Sequence, residues 1–137
     1  MDLMAGYSGT PLVQKLGIKE RHRVAFPGAP GSFPRTLGKL PIGVSVGQAD
    51  LDVVVLFAVE KSALKEQLPG FARRLKPDGG LWIAWPKRAS GVPTDLTEDR
   101  IREMALAAGL VDNKVCAIDD TWSGLRLVYR LKDRPKK

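Results

Sequence analysis

The stretch Leu51 to Lys87, LDVVVLFAVEKSALKEQLPGFARRLKPDGGLWIAWPK, is where the fold is decided. Val53 to Val59 is apolar almost without interruption, as a strand covered on both faces has to be. Next, Leu64, Leu68, Phe71, Ala72 and Leu75 fall on one helical stripe, within which Pro69 predicts a kink or a division. Pro77-Asp78-Gly79-Gly80 is a strong turn signal, and Leu81 to Trp85 reads as a second buried strand. Strand, helix, turn and strand in that order make one βαβ unit of a parallel sheet.

Working toward the N-terminus, Arg23 to Phe26 begins a strand that stops at Pro27-Gly28. Ahead of it, Thr10-Pro11 predicts a helix start, the hydroxyl capping and the proline at the first helical position. That helix is short, with Leu12, Val13 and Leu16 apolar and Gly17 ending it. Gly31 to Leu40 is rich in Gly and Pro and holds at most a short helix. Ile42 to Val46 alternates weakly, as an edge strand does. A parallel partner needs a crossover of a dozen or more residues, and only about five follow Val46, so this segment is expected to be short, irregular or antiparallel.

Toward the C-terminus, a loop from Pro86 to Leu96 leads to a well-marked helix. Thr97 caps it, Glu98 and Asp99 suit the positive end of its dipole, and Gly109 ends it. Its inward stripe is Ile101, Met104, Ala105 and Ala108. Val111 to Ile118 and Leu125 to Leu131 read as two closing strands joined by a hairpin-like turn over Asp119 to Gly124.

At 137 residues the chain suits one domain, expected over residues 1–131, with 132–137 a basic, disordered tail. A single cysteine excludes an internal disulfide and fits a reducing compartment. No N-terminal run has the layout of a signal peptide, and the longest apolar run is far short of the roughly 20 residues of a membrane span. A soluble cytoplasmic protein with no membrane partner is expected. The net charge is +7, and Arg130, Lys132, Arg134, Lys136 and Lys137 against Asp133 hold a large share of it. Such a cluster suffices to attract phosphates, which makes nucleic acid one partner class. No aromatic residue follows Tyr129 to stack on a base, so a solubilising end is the plainer account.

These elements resemble a class I S-adenosylmethionine methyltransferase over roughly residues 11–131. LGIKERHRVAFPG looks like the lead-in to the first strand of that family. LDVVVLFAV and LKPDGGLWIAWPK look like its fourth and fifth strands, and the last helix and two strands like its closing elements. The resemblance implies a single three-layer Rossmann-like α/β domain, with a mostly parallel sheet and an antiparallel closing strand. It also implies an acidic residue and then Gly-x-Gly-x-Gly after the first strand. The stretch here is Phe26-Pro27-Gly28-Ala29-Pro30-Gly31-Ser32, in which phenylalanine replaces the acid, and proline and serine replace two glycines. Those glycines let a backbone approach the cofactor, and proline has no N–H to donate. The acid that would hold the ribose, about 20 residues on, falls in a window of Val46, Gly47 and Gln48, with Asp50 in a different setting. One strand–helix pair between the second and fourth strands is also missing. The chain as a whole is more similar to a small bacterial family known only as a domain of unknown function. YSGTPLVQKLGIK, AWPKRASG, TDLTEDRIRE and GLVDNKVCAIDDTWSGLRLVYR carry that likeness, and it transfers no activity.

In a parallel sheet, ligands bind beyond the carboxyl ends of the strands. That rule gathers Gly28 and Gly31 after the first strand, and Trp85, Lys87, Arg88 and Ser90 after the fifth. Asp119, Asp120, Trp122 and Ser123 come from the closing turn, and Tyr7, Ser8 and Thr10 from the start of the first helix. Lys87 and Arg88 can bind an anionic group, or pair with Asp119 or Asp120 and simply tie the loops together. Trp85 and Trp122 read as lids over the core. The only histidine, His22, and the only cysteine, Cys116, make no metal-ligand set, and Cys116 reads as core filler within a strand. Ser8 and Ser90 have no base nominated for them, so no catalytic residue is assigned. The expectation is a non-catalytic binding or regulatory module whose rim takes a protein partner or a small anionic ligand. The alternatives are a methyltransferase or other nucleotide-ligand enzyme with altered S-adenosylmethionine contacts, and a nucleic-acid-associated protein acting through its tail.

Overall fold

The computed structural model describes residues 10–134. Ten elements follow in order: α1 (Leu12–Leu16), β1 (Arg23–Ala25), α2 (Phe33–Leu37), β2 (Ser45–Val46), β3 (Leu51–Phe57), α3 (Lys61–Arg74), β4 (Leu75–Pro86), α4 (Glu98–Ala107), β5 (Leu110–Ala117) and β6 (Trp122–Tyr129). Six strands form one sheet in the order β2-β1-β3-β4-β6-β5. β2, β1, β3 and β4 are mutually parallel, and β6 runs antiparallel to both β4 and β5.

The central strands β3 and β4 are buried on both faces because each alternates its side chains between two helical layers. Val54 and Leu56 of β3, with Leu81, Ile83 and Trp85 of β4, pack against Leu64, Leu68 and Ala72 of α3 and Ile101 and Ala105 of α4. The intervening Val53, Val55, Phe57, Trp82 and Ala84 face Leu16 of α1 and Phe33 and Leu37 of α2. This is the three-layer α/β arrangement that the resemblance implies, built on the parallel βαβ unit that the stretch predicts. Trp82 lies at its centre with 0% exposure, and its indole Nε1 donates to the Leu16 carbonyl at 3.0 Å.

Several local expectations need correction. The segment expected to be irregular or antiparallel is a two-residue strand parallel to β1, with Ser45 beside Arg23 and Val46 beside Val24. It lies on the far side of β1 from β3, and α2 supplies its crossover. Because β2 is so short, the return to β3 descends only a couple of residues, which a loop at 47–50 can span. That loop is held by the Gly47 N–H on the Val24 carbonyl and by the Arg23 guanidinium on the Ala49 carbonyl. Proline does not divide α3, which runs on from Lys61 to Arg74 with Pro69 on its exposed side. There, the carbonyl that has lost its donor faces water rather than a buried neighbour.

Pro77 to Gly80 is not a turn before β4 but an irregularity inside it. Leu51 pairs with Leu75 and Val53 with Gly80, so β4 carries three more residues than β3 across the same span. Gly79 is needed where this fold-out returns, since a β-carbon there would stand 2.8 Å from the Leu51 carbonyl oxygen. At α1 the N-cap is Pro11 rather than Thr10, and Gly17 closes the helix at φ 80°. Thr97 caps α4 as expected, accepting the Arg100 N–H at 3.2 Å.

Replacing Trp82 by Phe should keep most of the buried area but strand the Leu16 carbonyl. A loss of about 1–3 kcal/mol is expected in urea unfolding, against about 3–5 kcal/mol for Trp82→Ala. Equal midpoints for Trp82→Phe and the parent chain would remove the hydrogen bond from this account.

Candidate functional site

The parallel strands end along one rim. There the loop after β1 bends down onto the end of β3. The Phe57 N–H donates to the Pro27 carbonyl at 3.0 Å, and a β-carbon on Gly28 (φ 75°) would lie 2.9 Å from the Phe57 carbonyl oxygen. The loop also bonds to itself: Ala29 N–H to the Phe26 carbonyl at 3.2 Å, and Phe33 N–H to the Pro30 carbonyl at 2.9 Å. Beneath it, four rings run in edge-to-face contact from Phe26 to Phe33, Phe57 and Trp122, with centroids 5.2, 5.0 and 5.1 Å apart. Phe33 is 2% and Phe57 7% exposed, so the middle of the ladder is packed interior, with Phe26 and Trp122 half-buried at its ends.

The loop after β4 makes a ledge against α4. It encloses about 440 Å³ between Trp85, Pro86, Arg88, Val92, Pro93 and Leu96, with Thr97 and Glu98 at its far side. Two residues that the sequence did not single out hold this ledge. The Thr94 hydroxyl donates to the Val59 carbonyl and accepts the Leu96 N–H. Asp95 Oδ1 accepts the Lys61 N–H at 2.7 Å, satisfying an orphan donor at the start of α3. The bonds to Val59 and Lys61 join the loop to the β3–α3 junction, a tertiary pairing with no local signature in the chain.

The expected rim residues have varied positions. Trp85 is 8% exposed and belongs to the core on the α3 and α4 side, as well as walling the ledge. Arg88 is exposed on the ledge. Ser90 donates to the Lys87 carbonyl at 2.6 Å and accepts the Val92 N–H, so its hydroxyl builds the turn. Lys87 joins the closing turn through its backbone, its N–H donating to the Thr121 carbonyl at 2.7 Å. Trp122 is half-buried in the ring ladder, and Ser123 sits within β6 opposite Trp85 and Ala117. Gly31 and Thr10 are exposed, while Tyr7 and Ser8 lie outside the described residues, as do Lys136 and Lys137 of the basic tail.

The pairing of Asp119 or Asp120 with Lys87 or Arg88 is not formed among the described residues. Asp119 Oδ1 instead accepts the N–H groups of Thr121 and Trp122, both at 2.8 Å. A carboxylate two residues ahead of free N–H groups closes on its own turn before reaching a neighbouring loop. Asp120 is exposed. Cys116 is half-buried, and burial pushes its thiol up against the opposing pull of Lys15 and Lys114. No group of three or more metal-ligating side chains occurs among the described residues, and none of their helices is long and apolar enough to cross a membrane.

The chain belongs to the family described as "Protein of unknown function (DUF3052)", which matches residues 46–131. No curated protein matches it. Its fold is that of S-adenosylmethionine-dependent methyltransferases. An enzyme of that description from Aquifex aeolicus is 15% identical with a TM-score of 0.62, covering 85% of this chain and 86% of its own. Magnesium protoporphyrin IX methyltransferase from Synechocystis PCC 6803, solved with bound S-adenosylmethionine, is 12% identical at TM-score 0.58, covering 87% and 74%. A ribosomal protein L11 methylase from Lactobacillus delbrueckii subsp. bulgaricus is 12% identical at TM-score 0.56, covering 87% and 75%. At these identities the likeness is one of fold.

The Asx turn gives a direct contrast between neighbours. Asp119→Ala should lose about 1–3 kcal/mol in chemical unfolding by stranding two N–H groups, whereas Asp120→Ala should stay within about 0.5 kcal/mol of the parent. Equal effects would refute the assignment of the turn to Asp119.

Proposed function

We propose that this protein is a non-catalytic binding module built on a methyltransferase-like scaffold, with its cofactor crevice closed by its own side chains. The observation that carries this reading is the loop after β1 bonded down onto Phe57 through the Pro27 carbonyl, with no room for a β-carbon at Gly28. It lies above a ring ladder whose middle members Phe33 and Phe57 are buried and whose ends Phe26 and Trp122 are half-buried. S-adenosylmethionine is recognised through open backbone donors and close glycine approach after the first strand. Here Pro27 and Pro30 have no N–H, and Ala29 and Phe33 give theirs to the loop itself. The residues present therefore do not fit that cofactor, and no methyl-transfer step is assigned to them.

The ledge beside α4 is the binding surface we favour at this rim. Trp85, Pro86, Val92, Pro93 and Leu96 offer an apolar wall, and Arg88 is the one cation among the lining residues. That combination suits a small amphipathic anion, its apolar body against the wall and its charged end at the guanidinium. No nucleophile is assigned on the ledge: its lining hydroxyls serve the backbone, Thr94 bonding to Val59 and Leu96 and Thr97 capping α4, and the neighbouring Ser90 hydroxyl builds its turn.

Titration calorimetry with S-adenosylhomocysteine tests the closed crevice. No saturable heat is expected, and a micromolar dissociation constant, about −8 kcal/mol, would overturn the reading. A thermal-shift screen of carboxylated and phosphorylated metabolites tests the ledge. A ligand at 100 times its dissociation constant should stabilise the fold by roughly 2.7 kcal/mol. Arg88→Ala should abolish that shift, and an undiminished shift would move the site elsewhere.

A further inference from the structure

A second cavity, of about 380 Å³, opens at the opposite end of the sheet. It lies below α1, at the amino ends of β3 and β4, and its outer wall is the pairing of β5 with β6. Lys15, Lys19, Lys114, Arg126 and His22 line it, with Asp52 and Asp78 as the only carboxylates. Asp52 is already engaged: it takes the Arg23 N–H at 2.8 Å and the Lys76 ammonium at 3.1 Å. Asp78 is exposed, in the irregular part of β4.

Arg126 is the central feature of this groove. It stands between Trp82 on β4 and Lys114 on β5, so two cations lie directly opposite one another across an antiparallel pair. The guanidinium lies over Gly80, where a β-carbon would be 2.5 Å from its Nε. Among the described residues, nothing accepts a hydrogen bond from it or forms an ion pair with it. Burial lowers its pKa, and no neighbouring carboxylate opposes that effect. Arg102, by contrast, is held by Glu98, Asp99 and Asp112 together, and its pKa is raised. Lys114 Nζ reaches the Lys15 carbonyl at 3.3 Å, which brings a second ammonium over the same floor. Asn113, unpaired at a bulge, turns β5 at this level.

We propose that this basal groove binds a phosphorylated small molecule, with the Arg126 guanidinium gripping the phosphoryl oxygens and Lys15, Lys19 and Lys114 supplying the surrounding charge. A planar guanidinium presents two parallel N–H groups to such an oxyanion, and the like charges around it become favourable once a dianion sits among them. The cavity exceeds a bare phosphate and has the size of a small ligand site. No Phe, Tyr or Trp lines it, so a stacked nucleobase is not what it selects.

Calorimetry and two-dimensional NMR on the full chain, with ribose 5-phosphate and inorganic pyrophosphate as separate probes, test this. Either probe should bind with a dissociation constant of about 1 mM or tighter at low salt and perturb the amides of Gly17, Asn113 and Arg126. Arg126→Gln should weaken binding about tenfold, and Arg126→Lys by less, because it keeps the charge and loses the fork. Lys65→Ala, on the exposed side of α3 in the other layer, should change nothing. If Arg126→Gln does not fold, Lys19→Ala with Lys114→Ala gives the same reading from exposed positions. Absence of binding, equal weakening by Lys65→Ala, or shifts confined to the rim would overturn the proposal. So would capture of a duplex oligonucleotide at this groove with neither small phosphate bound.

Discussion

A full-sized indole at the middle of the sheet constrains everything packed around it. Trp82 has no exposed surface, so its neighbours must both make room for the ring and satisfy its N–H. Room comes from Gly124 on β6, where a β-carbon would approach Trp82 Cε3 to 3.1 Å and Ile118 Cδ1 to 3.2 Å. The acceptor is the Leu16 carbonyl, which draws the last turn of α1 onto the sheet just where Gly17 turns the chain away. One hydrogen bond between residues far apart in sequence thus sets the height of α1. It also sets what stands beneath that turn, because Lys15, Leu16, Gly17 and Lys19 form the roof of the basal groove.

The rim shows how a scaffold persists while its chemistry is withdrawn. A ligand site keeps polar groups oriented and unspent until the ligand arrives. Along this rim the Asp119 carboxylate and the Ser90 hydroxyl are committed to backbone groups of their own loops, and Thr94 and Asp95 to those of the β3–α3 junction. Those bonds give the loops fixed shapes, while the ring ladder contributes roughly 0.5–1.5 kcal/mol per contact beyond simple burial. Folding gains what recognition of a nucleotide cofactor would have needed. The ledge at Trp85 and Arg88 escapes this accounting, since the side chain of Arg88 is committed to no partner among the described residues.

What the sequence revealed follows the range of the forces involved. Periodicity and capping act over a few residues, so the β3–α3–β4 unit, the Thr97 cap and the two-faced burial were legible directly. The position of β2 was not. Its distance from β3 along the chain was short, but the separation that matters is from β1, across α2. Pro77-Asp78-Gly79-Gly80 reads as a turn ahead of the strand, whereas its glycines serve a fold-out within β4. At the rim, proximity by topology was anticipated, yet the partner of each polar side chain was not. Asp119 had two N–H groups within its own turn and needed no lysine. Arg126 shows the deepest limit. Leu125-Arg126-Leu127 reads as ordinary strand alternation with a polar residue facing water. Only the register shows that the alternate face carries Trp82 on one side and Lys114 on the other.

That register also makes the base of the sheet the less economical part of the molecule. Like charges directly opposite across a β-pair oppose folding, and a partly desolvated guanidinium with no acceptor among the described residues adds to the cost. An apolar residue at 126 would extend the Trp82 row and relieve both. The same chain surrounds Arg102 with three carboxylates, so the want of a partner for Arg126 among the described residues is not a general shortage of acids. Local rules are broken, as a rule, where something other than folding is being served. A bound dianion would turn the Lys114–Arg126 repulsion into shared attraction and satisfy the guanidinium over Gly80. On that argument the cationic floor under α1, rather than the crevice that gives this fold its usual chemistry, is the more strongly poised surface.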